Sequence, residues 1–196
     1  MVSVPGKKLT DYTPARKDGR QCWHARADGS ASIWRRTVQV EPALLGDAEF
    51  AWWVPALNPL SQLDVVEGTD APARVLFSFA GDEGRLSARN RMMFELARTL
   101  TGESPPFATL VYVWDNRAPV GTVIIHPRTD RIRKLVVESG ESRLGQWVGY
   151  KRNLAADFRR AFGEEPGALV GIAIMTDADN TRSKAEAWYA DITVSR

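Results

Sequence analysis

The segment ARVLFSFA, residues 73–80, decides the fold. Val75, Phe77 and Phe79 fall on one side of an extended chain, and Arg74, Leu76 and Ser78 on the other. That period of two is the signature of a strand with one apolar face. The same texture recurs on both sides of it. Downstream, residues 109–114 (TLVYVW), 121–126 (GTVIIH), 131–138 (RIRKLVVE), 147–151, 168–176 (ALVGIAIMT) and 186–194 read as strands. The second and third of these form a pair joined by the turn Pro127-Arg128-Thr129-Asp130. Upstream, residues 21–27 and 32–40 (SIWRRTVQV) flank a Gly29-Ser30 turn. In the latter, Trp34, Arg36, Val38 and Val40 share a face, and the arginine marks it as a rim. Pro42 ends the run. Residues 49–54 (EFAWWV) read as a buried strand, and residues 60–72 as a long loop rich in Asp, Glu and Gly.

Only two stretches carry helical spacing. Residues 85–101 place Leu86, Met93, Ala97 and Leu100 on one stripe, with Arg89 inside it and Gly102 as the stop. Asn153 caps a second helix that ends near Phe162, before Gly163, with Leu154, Phe158 and Ala161 turned inward. Strands therefore dominate and do not alternate regularly with helices, which disfavours Rossmann and α/β-barrel folds. The expectation is a single domain over residues 1–196: a mainly β, two-sheet antiparallel sandwich of jelly-roll type with two short helices.

Composition sets outer bounds. A chain of 196 residues can bury one full core. Its formal charge is +2, and the basic residues are interleaved with acids, so the basic stripe of a nucleic-acid binder is missing. No apolar run is long enough to cross a bilayer. Residues 1–10 lack the apolar segment of a secretory leader. The expected location is periplasmic or exported if a leader has been removed, and cytoplasmic otherwise. Cys22 is the only cysteine, which excludes an internal disulfide and a cysteine metal cluster.

Seven tryptophans are the unusual count, because indoles fill sandwich cores but also stack on sugars. Trp34, Trp53, Trp114 and Trp147 are the candidates for a ligand face. Asp177, Asp179 and Asn180 set three short oxygen-bearing side chains within four positions, a pattern suited to a structural calcium ion, and Asp191 would complete the site from the last strand. An EF-hand loop would need Gly and Glu where Arg182 and Trp188 stand, so the competing account is an Asx-rich turn. Arg74 and Asp157 would be buried ion-pair members joining sheet to helix, or ligand-binding groups, with Arg74 gripping a carboxylate or hydroxyl. Asp70, Asp115 and Asp157 offer carboxylates for glycan hydrolysis. His24 and His126 are the only histidines, and no metalloprotease, nucleophile-elbow or phosphate-loop motif occurs. The helix at 85–101 is either a core cover or a lid that presents Arg85 and Arg89 to an anion.

The residues 112–124 (YVWDNRAPVGTVI), 131–140 (RIRKLVVESG), Trp147 with 151–167 (KRNLAADFRRAFGEEPG), 171–181 (GIAIMTDADNT) and 187–192 (AWYADI) follow one another in order. Together they resemble the bacterial family known as domain of unknown function 3047. The resemblance continues through residues 29–38 (GSASIWRRTV) and 70–82 (DAPARVLFSFAGD). It implies a mostly exported family with no established activity, and so no mechanism. The acidic loop before the closing strand is similar to that of galactose-binding-like and carbohydrate-binding jelly rolls. The leading expectation is a non-catalytic binder of carbohydrate or a similar polar ligand on one sheet face. The alternatives are a glycan-acting enzyme with a carboxylate pair, and a structural or assembly protein.

Overall fold

The structure, a computed structural model, describes residues 1–195. Its strands in chain order are β1 (Val2–Ser3), β2 (Asp11–Lys17), β3 (Arg20–Asp28), β4 (Ser32–Val40), β5 (Asp47–Trp53), β6 (Arg74–Phe79), β7 (Ala108–Asp115), β8 (Val123–Ile125), β9 (Ile132–Ser139), β10 (Trp147–Asn153), β11 (Leu169–Met175) and β12 (Lys184–Val194). The helices are α1 (Ala88–Thr101) and α2 (Leu154–Phe162). The strands form a seven-stranded sheet, β1-β4-β11-β6-β7-β9-β8, and a five-stranded sheet, β10-β5-β12-β3-β2. Every pairing is antiparallel except β7 with β9. The fold is thus the mainly β, two-sheet sandwich expected from the alternation.

The alternation at residues 73–80 explains why the sheets face each other. Val75, Phe77 and Phe79 of β6 are all fully buried and join one core with Leu110, Tyr112 and Trp114 of β7 and with Phe50 and Trp52 of β5. Rings interlock across the layers: Phe50 stacks on Tyr112 at 5.4 Å, and Phe77 meets Tyr112 edge-on at 5.6 Å. Trp52 and Trp114 lie 6.2 Å apart in the same interior. Trp114 is therefore a core residue, only 1 % exposed, with its indole nitrogen donating to the Gly140 carbonyl at 2.9 Å. It cannot serve as the ligand platform expected of it, because both of its faces belong to the sandwich.

Three features depart from the sequence reading. The strand β2 is unmarked in the sequence because Pro14 sits within it; as the edge strand of its sheet it tolerates a residue without an N–H. The parallel β7–β9 pair arises because β8 folds back onto β9 instead of lying between it and β7. The helix α1 begins at Ala88, where Ser87 accepts from the Asn90 N–H, and its inward stripe keeps Met93 and Ala97, half-buried, but adds Asn90 and Phe94 and loses Leu100. Asn90 and Phe94 are buried with Leu86, whereas Leu100 is 62 % exposed. Asn90 decides that rotation: its amide donates to Asp130 at 2.5 Å and accepts from Thr129 at 2.9 Å. Arg89 bonds the Pro127 carbonyl and Arg85 pairs with Glu164, so neither is held over a ligand as a lid would require.

Candidate functional site

On the face of the seven-stranded sheet that points away from the core, the part around β7 and β9 is not open to solvent. The loop of residues 57–72 lies across it, and Leu63 and Ala71 pack there on Val113 and Val136 in a second small apolar cluster. Beside this cluster is a cavity of about 320 Å³, lined by Arg74, His126, Lys134, Asp177 and Asp179 among others. Alternation places the two central cations. Arg74 and Leu76 stand on the outer side of β6, and Lys134 stands outward on β9 while its neighbour Leu135 enters the core.

Arg74 is 6 % exposed and is gripped from several sides. Its Nη1 donates to Asp177 Oδ2 at 2.7 Å and to Met175 Sδ at 3.4 Å, and Nη2 donates to the Thr69 carbonyl. Its Nε is buried and has no hydrogen-bond partner. Such an orphaned donor costs about 1–3 kcal/mol or more in a charged group. Lys134 is 3 % exposed and donates to the Leu63 carbonyl at 2.5 Å. Among the described residues, no carboxylate lies within ion-pair distance of it.

Electrostatics in the pocket follow from burial. Loss of water brings the Lys134 ammonium down to about 7, and the nearby Arg74 charge pushes the same way. Burial also drives His126 down to about 4, helped by Lys134, Arg74 and Arg128. Burial raises Asp177 to about 6, against the pull of Arg74. Arg74 is answered by Asp177, and Lys7 by Asp179 at 2.6 Å. Lys134 has no ion-pair partner of its own among the described residues, though the charges of Asp177, Asp64 and Asp115 act on it from further off.

The acidic loop is drawn into this site, with one substitution of membership. Asp70, Asp177 and Asp179 bring carboxylate oxygens within 4.8 Å of one another. Asp191 is not with them. It lies at the far end of β12 from the loop, about 20 Å along the strand. There a bulge with left-handed backbone turns it toward Arg20, 3.2 Å away, with its side chain 61 % exposed. Nor are the clustered acids free ligands. Asp177 accepts from Arg74 and the Ala71 N–H, and Asp179 is paired with Lys7. Asp70 accepts from the backbone of Asn180 and from both the backbone and hydroxyl of Thr181. Asn180 spends its amide nitrogen on Val66 and its amide oxygen on Thr69.

Asp157 lies elsewhere. Its Oδ1 accepts from Arg152 Nη2 at 2.7 Å, while Oδ2 accepts from Arg152 Nε at 2.8 Å and Tyr112 at 2.7 Å. This bidentate pair ties α2 to β10 and β7, with both carboxylate oxygens engaged inside the protein. Asp115 accepts from the backbone of Arg117 and Ala118, an Asx turn. The carboxylates named for glycan hydrolysis thus sit in three separate networks.

The remaining tryptophans divide between two places. Trp34 packs on Trp23 at 4.8 Å beside a cleft of about 1050 Å³ between the sheets. Trp147 and Trp53 stand side by side in a cross-strand row on the outer face of the five-stranded sheet, continued by Trp188 and His24. The Lys17 ammonium covers Trp53 at 3.6 Å and Trp188 at 4.4 Å, and the Arg20 guanidinium covers Trp147 at 4.9 Å. Sequence reasoning did not bring Lys134 and His126 to the pocket or Trp188 and His24 to the row, and it named Asp70 as a hydrolytic carboxylate and not as a neighbour of Asp177 and Asp179. The one available signal was Lys134 itself, a charge inside the otherwise apolar run KLVV.

The family model described as a protein of unknown function, DUF3047, matches residues 1–193. No curated protein matches the chain.

Proposed function

We propose, for a chain that belongs to the DUF3047 family of proteins of unknown function, that it is a binding domain for a small polar ligand with an anionic group. The pocket on the outer face of the larger sheet is the seat of that ligand. One observation carries the reading: two buried cations, Arg74 and Lys134, line one cavity, and Lys134 has no carboxylate within ion-pair distance among the described residues. A carboxylate or phosphate oxygen entering the cavity would give the Lys134 ammonium a charged acceptor. The size suits a small molecule, at the lower end of the usual range of about 300–1,000 Å³ for ligand pockets.

The test is a thermal-shift and calorimetric titration of the full chain with inorganic phosphate, acetate, oxalate and glucuronate against chloride at matched ionic strength. One of these anions should raise the melting temperature with concentration, as ligation of the folded state requires. The Lys134→Met variant, which keeps the Arg74–Asp177 pair, should weaken that ligand by about tenfold or more, the range for a charged hydrogen bond. Absence of any shift in the folded wild-type chain would remove the reading.

A second reading is favoured by the row Trp147–Trp53–Trp188–His24, spaced about 5 Å from strand to strand, which would give an extended carbohydrate successive contacts once the Lys17 and Arg20 side chains swing off the indoles. Neutral oligosaccharides in the same titration test it. Binding of a neutral glycan that Trp53→Ala abolishes and Lys134→Met leaves intact would place the ligand on the row.

A further inference from the structure

We propose that Lys134 is a carbonyl-reactive amine and that its pocket captures a small oxo acid as an imine, with Arg74 holding the acid's carboxylate. The inference rests on the reading of the pocket as an anion site and adds a covalent bond to it.

The placement of the two side chains carries the argument. Arg74 lies opposite Val113 of β7, and Lys134 lies opposite Val111 on the other flank of the same strand. The two cations therefore stand on the outer face about 10 Å apart across β7, two residues out of step. Both line the cavity with Val111, the Arg74 guanidinium fixed toward Asp177 and the Thr69 carbonyl and the Lys134 ammonium toward the Leu63 carbonyl. A compact molecule with a carboxylate at one end and a carbonyl next to it would place one group against the edge of the Arg74 guanidinium and the other against the Lys134 nitrogen.

Lys134 also has the bonding that a nucleophile needs. Its nitrogen spends one hydrogen on the Leu63 carbonyl and is held by no carboxylate among the described residues. An amine in a strong ion pair keeps its proton and has no lone pair to offer. The lowering of Lys134 to about 7 by burial and by Arg74 agrees with this bonding, since desolvation next to another cation is a recognised way of activating a lysine. His126 lines the same cavity as a neutral ring. Its Nδ1 accepts from the Arg128 N–H at 3.2 Å, which leaves the hydrogen on Nε2 as a donor.

The step balances without a further reagent. The Lys134 lone pair adds to the carbonyl carbon, and a C–N bond forms as the carbonyl π pair moves to oxygen. The two amine hydrogens then leave with that oxygen as one water, and the C=N bond of the imine takes the place of C=O. Nothing is oxidised or reduced, and the carboxylate is unchanged.

The experiment uses the full wild-type chain, glyoxylate as probe and sodium cyanoborohydride to trap the imine at pH 7, with peptide mapping by mass spectrometry. Lys134 should be modified at least about tenfold faster than Lys7, Lys8, Lys17, Lys151 and Lys184, because an exposed amine is almost wholly protonated at that pH. Propionaldehyde, which has no carboxylate, should label Lys134 more slowly than glyoxylate, and acetate should slow glyoxylate labelling. Labelling of Lys134 no faster than the surface lysines, in a protein that anions still stabilise, would overturn the imine and leave the binding site standing. Loss of both labelling and anion stabilisation would end both readings. Equal labelling by propionaldehyde would overturn the role given to Arg74.

Discussion

Lys134 and Asp177 face each other across one pocket and respond to burial in opposite directions. For Lys134 the folded value of about 7 lies below its ordinary 10.5, so between those limits the unfolded chain binds more protons than the folded one. Stability from this group therefore rises with pH through that window, by up to about 1.4 kcal/mol per pH unit for one proton. Urea unfolding at pH 7, 8 and 9 should show the wild type gaining on Lys134→Met as pH rises. Parallel pH profiles would mean that Lys134 is not desolvated as described. Asp177 has a folded value of about 6, above its ordinary 3.8. Its contribution is complete below the lower figure and is lost as pH climbs through the upper one. Neither effect was legible in the sequence. Lys134 and Arg74 each occupy the outer side of a strand, the side that alternation assigns to solvent. Both became interior because the loop of residues 57–72 covers them, a loop adjacent to Arg74 in sequence but 71 residues from Lys134 at its Leu63 contact.

At the scale of elements, local signals were legible where the chain supplies its own partner. Asn153 caps α2 by accepting from the Ala156 N–H at 2.8 Å, and Gly163 ends the helix in left-handed backbone at φ 70°. Both roles could be read directly from residue type and position. Replacement of Asn153 by Ala should cost about 1 kcal/mol in chemical denaturation, and replacement by Ser, which keeps a capping oxygen without setting a charge beside Asp47, should restore most of it. A loss well above 2 kcal/mol would mean that the Asn153 contact with Asp47 matters more than the cap. The stripe on α1 was legible only in part. Leu86 is buried and Met93 and Ala97 are half-buried, as helical spacing requires, but Asn90 and Phe94 lie inward with them and Leu100 is exposed. Asn90 is drawn in because it finds Asp130 and Thr129 on the β8–β9 turn, partners that no local pattern contains. The edge strand β2 was missed because Pro14 signals a break unless its place at the margin of a sheet is known.

On the scale of the whole molecule, the two sheets enclose one aromatic interior, and the covered part of the larger sheet's outer face adds a second, polar one. The acids gathered there would invite a divalent cation if they were free, but Lys7, Arg74 and the Asn180–Thr181 backbone already occupy them. Millimolar calcium, and EDTA in its turn, should accordingly leave the melting temperature unchanged. A rise with calcium that EDTA reverses would show that the cation displaces those partners. The sequence by itself determined the sandwich, most of its strand positions and the helix caps, because alternation, turn residues and caps act over a few neighbouring residues. It also singled out Arg74 and the Asp177–Asn180 loop as chemically unusual. Only the tertiary structure decided that Trp114 is core, that Trp53 and Trp147 share a row, that Asp191 lies remote, and that Lys134 meets Arg74. Those outcomes depend on pairings between residues tens of positions apart and on which sheet faces are covered. Burial, which shifts Lys134, His126 and Asp177, exists only once those pairings have formed.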